Sequence, residues 1–600
     1  MKTETSVKAV PLMALAMAGA LALPVAAWAQ AAPDVPPPDV PPEALPSRSE
    51  IERGVTQGAL GELDNSAVAP DDVQRAPCPL AAPEFADISF TLNTVVFTGL
   101  EPFPETVDLS PAWSGMAGQT MPVAAVCEIR DRAATILRNL GYLAAVQVPP
   151  QTIEDGTLRL DVLAARITRL QVKGDAGPNE AILLRYLSPL AEQPVFNSHE
   201  AERALLLTRD LPGVDARLAL RPVEGRPGEL IGEVSVRRIP YTADVLAQNY
   251  GSHATGPWSI LSRVRLAGYT GMGDATTLSM VWSGDFDEQM VFQIAHELRV
   301  GRDGLRLGVN LTYAETEPSV GAASPFNSKT LAGTMRADYP LIRSRTRNLF
   351  VGGGFDIVDQ DVRFGSLDLT EDKLRVLWLR ADFATIDRLS AQGRAGYNPV
   401  EPKLRLAGGI EVRQGLDVLG ASTACAVRAD GCNSPGLSRG EGDPSAFVLR
   451  ADADLAYRPT RRWTLAFQPR AQWAPHALLA YEEFAGGNYT LGRGYDPGSI
   501  MGDSAVGFRS EVRYASAWPE VAQGRSVQPY AFFDAGWFWN KDSTLGSDRL
   551  YSVGAGFRAN LMDRFRLDAA LAVPLRDTQF DPDAGGDVRA LVSLSMQLEQ

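Results

Sequence analysis

Apolar and polar residues alternate with a period of two along most of the chain after residue 241. In the segment "VLRADADLAY", Leu449, Ala451 and Leu455 share one face, while Arg450 and Asp452 share the other. Successive side chains of a β-strand point to opposite faces, so this pattern predicts strands with one apolar and one charged face. Sixteen strands are predicted, at residues 241–251, 258–269, 276–285, 289–300, 305–315, 328–341, 347–358, 371–387, 402–414, 444–458, 463–482, 504–515, 526–539, 548–560, 563–574 and 587–599.

The connections between these strands distinguish a membrane barrel from a soluble sandwich. Connections after even-numbered strands include the short basic turns "VGRDG" and "LMDR", whereas those after odd-numbered strands are longer and often acidic, such as "RDTQFDPDAGGD". An even number of strands joined by alternating short and long connections is typical of outer-membrane barrels. A soluble sandwich rarely needs so many long strands in series. We therefore predict a membrane β-barrel of sixteen antiparallel strands over residues 241–600, with periplasmic turns and extracellular loops.

Two small α/β domains are predicted before the barrel, at residues 78–166 and 167–240. In the first, "ADISFTLNTVVFTGL" is typical of a strand, "CEIRDRAATILRNLGYL" of an amphipathic helix ending at Gly141, and "TLRLDVLAARITRLQVKG" of further strands. The second domain repeats this order, with two helical runs, "NEAILLRYLSPL" and "SHEAERALLLTRDL", followed by two strands.

The N-terminal residues predict export from the cytoplasm. Residues 1–29 combine Lys2 and Lys8 with an apolar stretch and end in "AWA", the pattern of a cleaved signal peptide. Residues 30–77 form a proline-rich linker with a predicted helix at residues 47–63, and the pattern leaves open whether this helix plugs the pore. No later stretch reaches about 18 consecutive apolar residues, so no transmembrane helix is predicted.

Charge and cysteine content narrow the functional classes. The formal net charge of −15 argues against a general nucleic-acid-binding protein, because phosphate contacts need clustered Lys and Arg. The four cysteines fall into two pairs, Cys78 with Cys127 and Cys425 with Cys432. In an exported protein an even count indicates disulfides. Zinc is the alternative, but no histidine adjoins either pair, so we predict two structural disulfides and no metal site.

Motifs of catalysis are weak in this sequence. The segment "GDSAVG" at residues 502–507 superficially resembles a serine-protease nucleophile loop, but it opens a predicted barrel strand, and the chain has only four histidines. The segment "GAGFRA" at residues 554–559 partly matches a dinucleotide fingerprint, but it lies within an alternating strand. The sequence contains no P-loop and no HExxH motif. We predict neither an enzyme nor a cofactor.

A single arginine stands out in the loop "YTLGRGYDPGSIMGD", which follows the eleventh predicted strand. In the thirteenth strand, "YAFFDAGWFW", alternation directs Asp534 into the lumen among aromatic side chains. A carboxylate in such a place is costly unless it is paired or hydrated. Because a guanidinium binds a carboxylate through two bonds, Arg493 is the candidate partner if its loop folds back into the barrel.

These motifs together resemble the outer-membrane transporters of two-partner secretion, the haemolysin-activator and filamentous-haemagglutinin-transporter group called TpsB proteins. The resemblance rests on the region from "CPL" to "TLRLDV", on "EEFAGGNYTLGRGYDPGSIMGD" and on "FFDAG". It implies two POTRA (polypeptide-transport-associated) domains, a sixteen-stranded barrel, and a loop that folds into the lumen and pairs its arginine with an aspartate of strand thirteen. The positions that match are Arg493, Gly494, Tyr495 and Asp534, with Gly502, Asp503, Phe533 and Gly536 as a secondary motif.

The sequence departs from the family pattern in two places. Leu491 and Gly492 precede the arginine where a valine-type residue is common, and Gln600 replaces the usual terminal aromatic residue.

The resemblance also implies a function. It implies a monomeric protein, in contact with outer-membrane lipid, that exports an unfolded partner exoprotein of the adhesin or haemolysin type. The POTRA domains would recognise the partner in the periplasm, and the barrel would act as a gated pore. An outer-membrane protein assembly factor is the alternative, although such factors often have more POTRA domains. A passive porin is a third hypothesis, but a porin does not need the α/β region at residues 78–240, so this region argues against it.

Overall fold

The computed structural model describes residues 40, 44–52, 78–153, 155–284, 288–319, 326–424, 435–516, 525–541, 546–561 and 564–599. Several predicted features lie outside the described residues: the signal peptide at residues 1–29, residues 53–63 of the predicted helix, the pair Cys425 and Cys432, and Gln600. The described part of that helix is α1 (Arg48–Ile51), and Ser47 is its N-cap. The Glu50 carboxylate accepts hydrogen bonds from the backbone nitrogen (2.9 Å) and hydroxyl (2.8 Å) of Ser47.

The first small unit packs one helix against a three-stranded sheet. Its elements are β1 (Ser89–Thr91), β2 (Thr94–Thr98), β3 (Thr120–Pro122), α2 (Ala125–Asn139), β4 (Ala144–Gln147) and β5 (Thr157–Ala164). In the sheet, β5 lies between β2 and β4, while β1 pairs with β3 separately. Ile129, Ala133 and Leu137 recur every four residues on α2, so one helical face is apolar and packs into a core with Leu158 and Leu160 of β5.

Cys78 and Cys127 form a disulfide, which confirms this predicted pair. Their Cα atoms are 5.9 Å apart, and 49 residues separate them in sequence. The bridge ties the beginning of the first unit to α2. Because it closes a long loop, it restricts the unfolded chain strongly.

The second small unit has the same layered form, with two helices on one face of a sheet. Its elements are β6 (Arg166–Gly174), α3 (Glu180–Glu192), α4 (Ser198–Arg209), β7 (Val214–Pro222) and β8 (Glu229–Arg238). β8 lies between β6 and β7, parallel to β6 and antiparallel to β7. Leu187, Leu207 and Val234 join the helices to the sheet in one core. None of the helices in the described ranges is long and apolar enough to span a bilayer.

The two small units are hydrogen-bonded to each other where α2 ends. Gly141 has a φ of +89°, and a Cβ there would lie 2.6 Å from the side-chain oxygen of Asn197. The Gly141 carbonyl accepts from the backbone nitrogen of Ser198 (2.8 Å), and the Asn197 amide donates to the Leu140 carbonyl (3.1 Å). The glycine therefore ends the helix and allows the second unit to approach closely.

The remaining strands form a closed antiparallel barrel of sixteen strands, which confirms the predicted fold. In chain order they are β9 (Tyr241–Gln248), β10 (Ser259–Ala267), β11 (Ala275–Ser283), β12 (Gln289–Val300), β13 (Leu305–Thr316), β14 (Phe326–Arg343), β15 (Arg347–Phe364), β16 (Leu367–Ile386), β17 (Leu404–Gly415), β18 (Phe447–Thr460), β19 (Trp463–Trp473), β22 (Ser504–Tyr514), β23 (Arg525–Trp539), β24 (Ser547–Leu561), β25 (Phe565–Pro574) and β26 (Arg589–Glu599). A short helix, α5 (Arg388–Ala391), lies between β16 and β17. Two short strands, β20 (Phe484–Gly486) and β21 (Ile500–Gly502), form a separate hairpin. Pairing of β26 with β9 closes the barrel.

The barrel wall separates an apolar outer face from a polar lumen. Leu379 and Ile410 expose 63% and 55% of their surfaces on the outside, whereas Gln360, Arg413 and Asp356 are buried. Because the side chains alternate, a single strand serves both surfaces.

The eleventh predicted strand is wrong at its C-terminal end. It was expected to reach residue 482, but β19 ends at Trp473. Leu479 and Tyr481, which continue the alternating pattern, are each 1% exposed and pack with lumen-facing residues instead. An alternating pattern of apolar residues cannot distinguish a strand of the barrel wall from a segment that packs inside the lumen.

The second unit is fixed to the barrel at the side that carries the short turns, hereafter the turn side. The Arg343 guanidinium donates two bonds of 2.8 Å to the Asp210 carboxylate at the end of α4. Arg203 of α4 donates to the Pro340 carbonyl (2.8 Å), and the Gly273 nitrogen donates to Asn179 (3.2 Å). These contacts involve the end of β14 and the turn between β10 and β11, so they fix the orientation of the second unit on the barrel.

Replacing Cys78→Ser and Cys127→Ser together is expected to lower the free energy of unfolding of the first unit by about 2–4 kcal/mol, because the unfolded loop regains conformational entropy. Pulse proteolysis of the full chain in urea measures this change. The gel mobility shift of the unheated barrel provides the control, since the bridge lies outside it. An unchanged urea midpoint for the first unit would contradict a stabilising role of the bridge.

Candidate functional site

The candidate site is the connection between β19 and β22, residues 474–503, hereafter the lumen loop. It turns inwards: Leu491 and Tyr495 are both 0% exposed, and the hairpin of β20 and β21 is buried with them. A loop that projected into solvent would leave such large side chains exposed. The structure therefore places the arginine segment inside the barrel.

Two glycines shape the backbone on either side of the arginine. Gly487 has a φ of +127°, and a Cβ there would collide with the carbonyl oxygen of Asp496. Gly494 lies against the wall, where a Cβ would be 3.0 Å from the backbone nitrogen of Pro574. The first glycine permits the turn, and the second permits the close approach to β25.

The structure brings Arg493 and Asp534 together in a buried ion pair. The guanidinium donates to both carboxylate oxygens, through Nη2 (2.7 Å) and Nε (3.0 Å), and the backbone nitrogen of Arg493 donates a third bond (3.0 Å). Arg493 is 8% exposed and Asp534 is 0% exposed. The carboxylate thus holds both the side chain and the backbone of the lumen loop against β23.

Sequence reasoning missed a second carboxylate that binds the same arginine. Glu511 of β22 accepts from Nη1 of Arg493, and it also accepts two bonds of 3.0 Å from Arg558 and one of 2.6 Å from Arg513. The guanidinium carbon of Arg493 lies 3.8 Å from the centre of the Phe532 ring. The sequence did contain a feature that could have revealed Glu511, because alternation along β22 places Glu511 and Arg513 on the lumen face.

Tyr495 and Leu491 anchor the loop through packing and backbone contacts. The Tyr495 hydroxyl lies 2.8 Å from the carbonyl oxygen of Arg576 and 3.0 Å from that of Tyr551. Leu491 occupies the space above Gly507, where a Cβ would collide with its methyl group. A leucine at this position therefore fits the glycine-lined wall.

The structure places the secondary motif in two different environments. Asp503 is 0% exposed and accepts from the backbone nitrogens of Leu478 and Lys541 (2.7 Å each) and from Arg439 (2.5 Å). Gly502 and Gly536 lie on the lumen side: a Cβ on Gly502 would lie 3.1 Å from that of Phe538, and one on Gly536 would lie 2.8 Å from the Phe538 ring. Phe533 is on the outer face, 39% exposed, and the structure does not bring it to the loop.

The N-terminal segment also lies in the lumen. Ile51 of α1 is 0% exposed, and its carbonyl accepts from Gln293 of β12 (2.9 Å). Arg48 is 3.6 Å from Asp356 and 3.8 Å from Glu482 of the lumen loop. Among the described residues, the lumen loop and residues 44–52 therefore both lie in the lumen.

The end of the lumen loop nearest the long connections, hereafter the loop side, is held by Asp496. Its carboxylate accepts from the backbone nitrogen (2.9 Å) and lies 2.8 Å from Nδ1 of His253, and it is 2.5 Å from Arg589. The hydrogen bond to Asp496 and the charge of that carboxylate raise the pKa of His253, against partial burial, while Arg589 lowers it and Asp581 raises it. Burial raises the pKa of Asp496, but His253 and Arg589 outweigh it, so the net shift is downward.

The ion pairs of this site attach the lumen loop to the barrel wall.

Ser504 is the candidate nucleophile of "GDSAVG". Its hydroxyl oxygen lies 3.1 Å from the backbone nitrogen and 3.3 Å from the carbonyl oxygen of Ala474, at the end of the barrel wall. Within the described ranges, no group of three or more His, Cys, Asp or Glu could hold a metal ion.

Two family models match parts of the sequence. Residues 380–559 match the haemolysin secretion/activation protein ShlB/FhaC/HecB family, and residues 90–164 match the ShlB-type POTRA domain. The first range contains Arg493, Glu511 and Asp534, and the second contains the sheet of the first unit. No curated protein matches the sequence.

Solved structures share this fold. CdiB from Escherichia coli is similar with a TM-score of 0.66 and 16% identity, covering 88% of this chain and 94% of its own. CdiB from Acinetobacter baumannii gives 0.55 and 15%, covering 90% and 93%. BamA from Haemophilus ducreyi, lacking POTRA domains 1–3, gives 0.50 and 14%, covering 85% and 100%. At these identities the likeness establishes the fold.

Replacing Asp534→Asn is expected to destabilise the folded barrel by about 3–5 kcal/mol, because it leaves the buried Arg493 guanidinium without its main counter-charge. Urea titration of the heat-modifiable form measures the loss. Asp568→Asn is the matched control, because Asp568 pairs with Arg558 at 3.0 Å in a more exposed site and should cost less. An equal loss of unfolding free energy for the two substitutions would contradict a larger stabilisation by the buried pair.

His253 is expected to titrate above the usual imidazole pKa of about 6.5. The stability that its ion pair with Asp496 contributes is fully present below that value, and it is lost as the pH rises through the raised pKa of the folded state. NMR of the ¹⁵N-histidine-labelled protein measures this directly, since the chain has only four histidines. Asp496→Asn should return the His253 pKa towards its ordinary value. A His253 resonance that does not respond to Asp496→Asn would contradict the assignment.

Proposed function

Because this chain is an outer-membrane translocator of the two-partner secretion (TpsB) type, with POTRA domains that face the periplasm, we propose that it exports an unfolded partner exoprotein of the adhesin or haemolysin type. The partner enters from the periplasm and leaves at the cell surface. The observation that carries this proposal is the lumen: ion pairs and hydrogen bonds hold a loop and an N-terminal segment inside a closed barrel, as a gated conduit requires.

We assign residues 78–166 and 167–240 to two POTRA domains that recognise the partner, and residues 241–600 to the barrel. Each POTRA sheet has two edge strands, β2 and β4 in the first and β6 and β7 in the second. An extended polypeptide can add to such an edge through backbone hydrogen bonds, largely independently of its sequence. The contacts between the second unit and the turn side support delivery close to the pore entrance.

The two segments in the lumen are held with different strength, which suggests different roles in gating. Arg493 and Asp534 are nearly inaccessible to water, whereas the side chain of Arg48 on α1 is 20% exposed and lies 3.6 Å from Asp356 of the barrel and 3.8 Å from Glu482 of the lumen loop. We propose that α1 leaves the lumen during export, while the Arg493 pair keeps the lumen loop at the wall and maintains the shape of the pore.

The remaining properties follow from this function. We propose a monomer that contacts outer-membrane lipid through its apolar outer face and binds no nucleic acid, consistent with the net charge of −15. We further propose that the protein is not an enzyme and needs no cofactor. Folding of the partner outside the cell would supply the direction of transport.

The experiment that tests the function compares secreted, surface and outer-membrane proteins of the native host with and without this gene. Loss of one or a few large exoproteins, with other barrels unchanged, is the expected result. Broad depletion of outer-membrane barrels would instead indicate an assembly factor. No change in any protein would refute both functions.

Arg493→Ala and Asp534→Ala are each expected to reduce export of the partner several-fold, while the amount of barrel in the outer membrane stays nearly unchanged. The reason is that the lumen loop loses its attachment although the strands still close. Quantitative immunoblotting of culture supernatant and outer membrane measures both quantities, with Arg549→Ala on the exposed rim of β24 as the control. Normal export by both variants would rule out the pair as part of the gate.

A further inference from the structure

The outer face of the second POTRA sheet is basic, in contrast to the acidic chain as a whole. This face is the one opposite α3 and α4. Cross-strand register places its side chains together: Ile231 of β8 pairs with Arg169 of β6 and with Arg221 of β7. The cations on this face are Arg166, Arg169, Lys173, Arg217, Arg221 and Arg237.

The carboxylates on the face do not neutralise these six cations. There are three of them, and each already has a partner on the sheet: Glu229 binds Arg166 (3.0 Å), Glu233 binds Lys173 (2.7 Å) and Arg221 (2.5 Å), and Asp215 is 3.7 Å from Arg237. Six cations against three carboxylates leave a surplus of three positive charges. Among the residues that the structure describes, Arg169 and Arg217 form no ion pair.

The position of this face favours a ligand that arrives from the periplasm. The helices on the opposite side of the sheet contact the barrel, through Asp210 with Arg343 and Arg203 with the Pro340 carbonyl. The basic face is therefore turned away from the part of the unit that contacts the barrel rim. A membrane-binding surface would need to face the barrel rim, where the membrane lies.

The corresponding face of the first POTRA sheet lacks this property. Its outward charges on β5 are Arg159 and Asp161, which cancel. Thr98 on the neighbouring strand donates to Asp161 (2.5 Å). The surplus positive charge thus belongs to the second unit alone, and Arg159 offers a matched control position.

We propose that the outer face of the second POTRA sheet binds an acidic, extended segment of the exported polypeptide, an inference that rests on the proposed export function. Outward residues of a strand lie about 6.6 Å apart, and alternate residues of an extended peptide have the same spacing. A segment with Asp or Glu at alternate positions therefore matches the cations along β6 and β7. This contact selects acidic peptides through ion pairs between side chains. Addition at a sheet edge instead uses backbone hydrogen bonds and tolerates many sequences.

The test uses the full-length protein in lipid nanodiscs and a fluorescent nine-residue peptide, the length of β6, with Glu at alternate positions. Fluorescence anisotropy gives its dissociation constant at several salt concentrations. The Arg169→Glu/Arg217→Glu double variant is expected to bind at least tenfold more weakly and to lose much of the salt dependence. Arg159→Glu should leave binding unchanged, and Arg169→Lys/Arg217→Lys should retain most of it. Circular dichroism and the mobility of the unheated barrel on gels verify folding.

Three results would overturn the proposal. The first is equal binding of a peptide with Gln in place of Glu, and the second is unchanged binding by the charge-reversed variant. The third is loss of binding to vesicles rich in phosphatidylglycerol by the charge-reversed variant while peptide binding persists, which would assign the face to lipid.

The outcome is separable from that of the export function. If deletion of the gene abolishes export but the charge-reversed variant exports and binds normally, only this inference fails. If deletion changes no exoprotein, the export function fails, whatever the peptide binds.

Discussion

Closure of the sheet is the constraint on which the rest of this structure depends. In the hydrocarbon of a membrane no water can satisfy a free backbone group, so each strand must have a neighbour on both sides. Pairing of β26 with β9 supplies the last neighbour, and the side chain of Asn249 extends this seam by bonding the Val592 nitrogen (2.7 Å) and the Ala590 carbonyl (2.6 Å). Once the wall is closed, alternation forces one side chain in two into the lumen.

A barrel of this size cannot fill its lumen with wall side chains alone. The chain fills it with its own segments, the lumen loop and the region of α1. Charged groups then lie far from bulk water, and each must meet a partner. Arg493 meets Asp534 and Glu511, while Arg413 donates to both Asp356 and Glu482 at 2.8 Å. The same charges that make the lumen polar thus fasten its contents.

The two small α/β units before the barrel have a different physical basis. They are small layered domains with separate apolar cores, and the hydrogen bonds around Gly141 connect them. The second unit is attached to the barrel by ion pairs and hydrogen bonds at the turn side. This arrangement places a basic sheet face and free strand edges in the periplasm, next to a pore whose lumen is occupied.

Periodicity in the sequence was sufficient for much of this architecture. The alternating pattern identified all sixteen strands of the barrel, because each strand is locally apolar on one side. The helix periodicity of α2 likewise lies within a short stretch of the chain, and the pairing of Cys78 with Cys127 followed from the even cysteine count of an exported protein. The pairing of Arg493 with Asp534 could be anticipated from a lumen-facing carboxylate among aromatic side chains and from a resemblance to a known family.

Only the tertiary structure decided where the chain leaves the wall and which distant groups meet. Residues 474–482 continue the strand pattern yet lie in the lumen, since burial by a neighbouring loop and burial in the wall select the same apolar residues. Glu511 became a partner of Arg493 only through the register of β22 and β23. The basic face of the second sheet likewise requires β6 to pair with β8, from which two helices and β7 separate it in sequence. Alternation is a local property, so the sequence by itself determined the strands, whereas long-range packing determined the contacts between them.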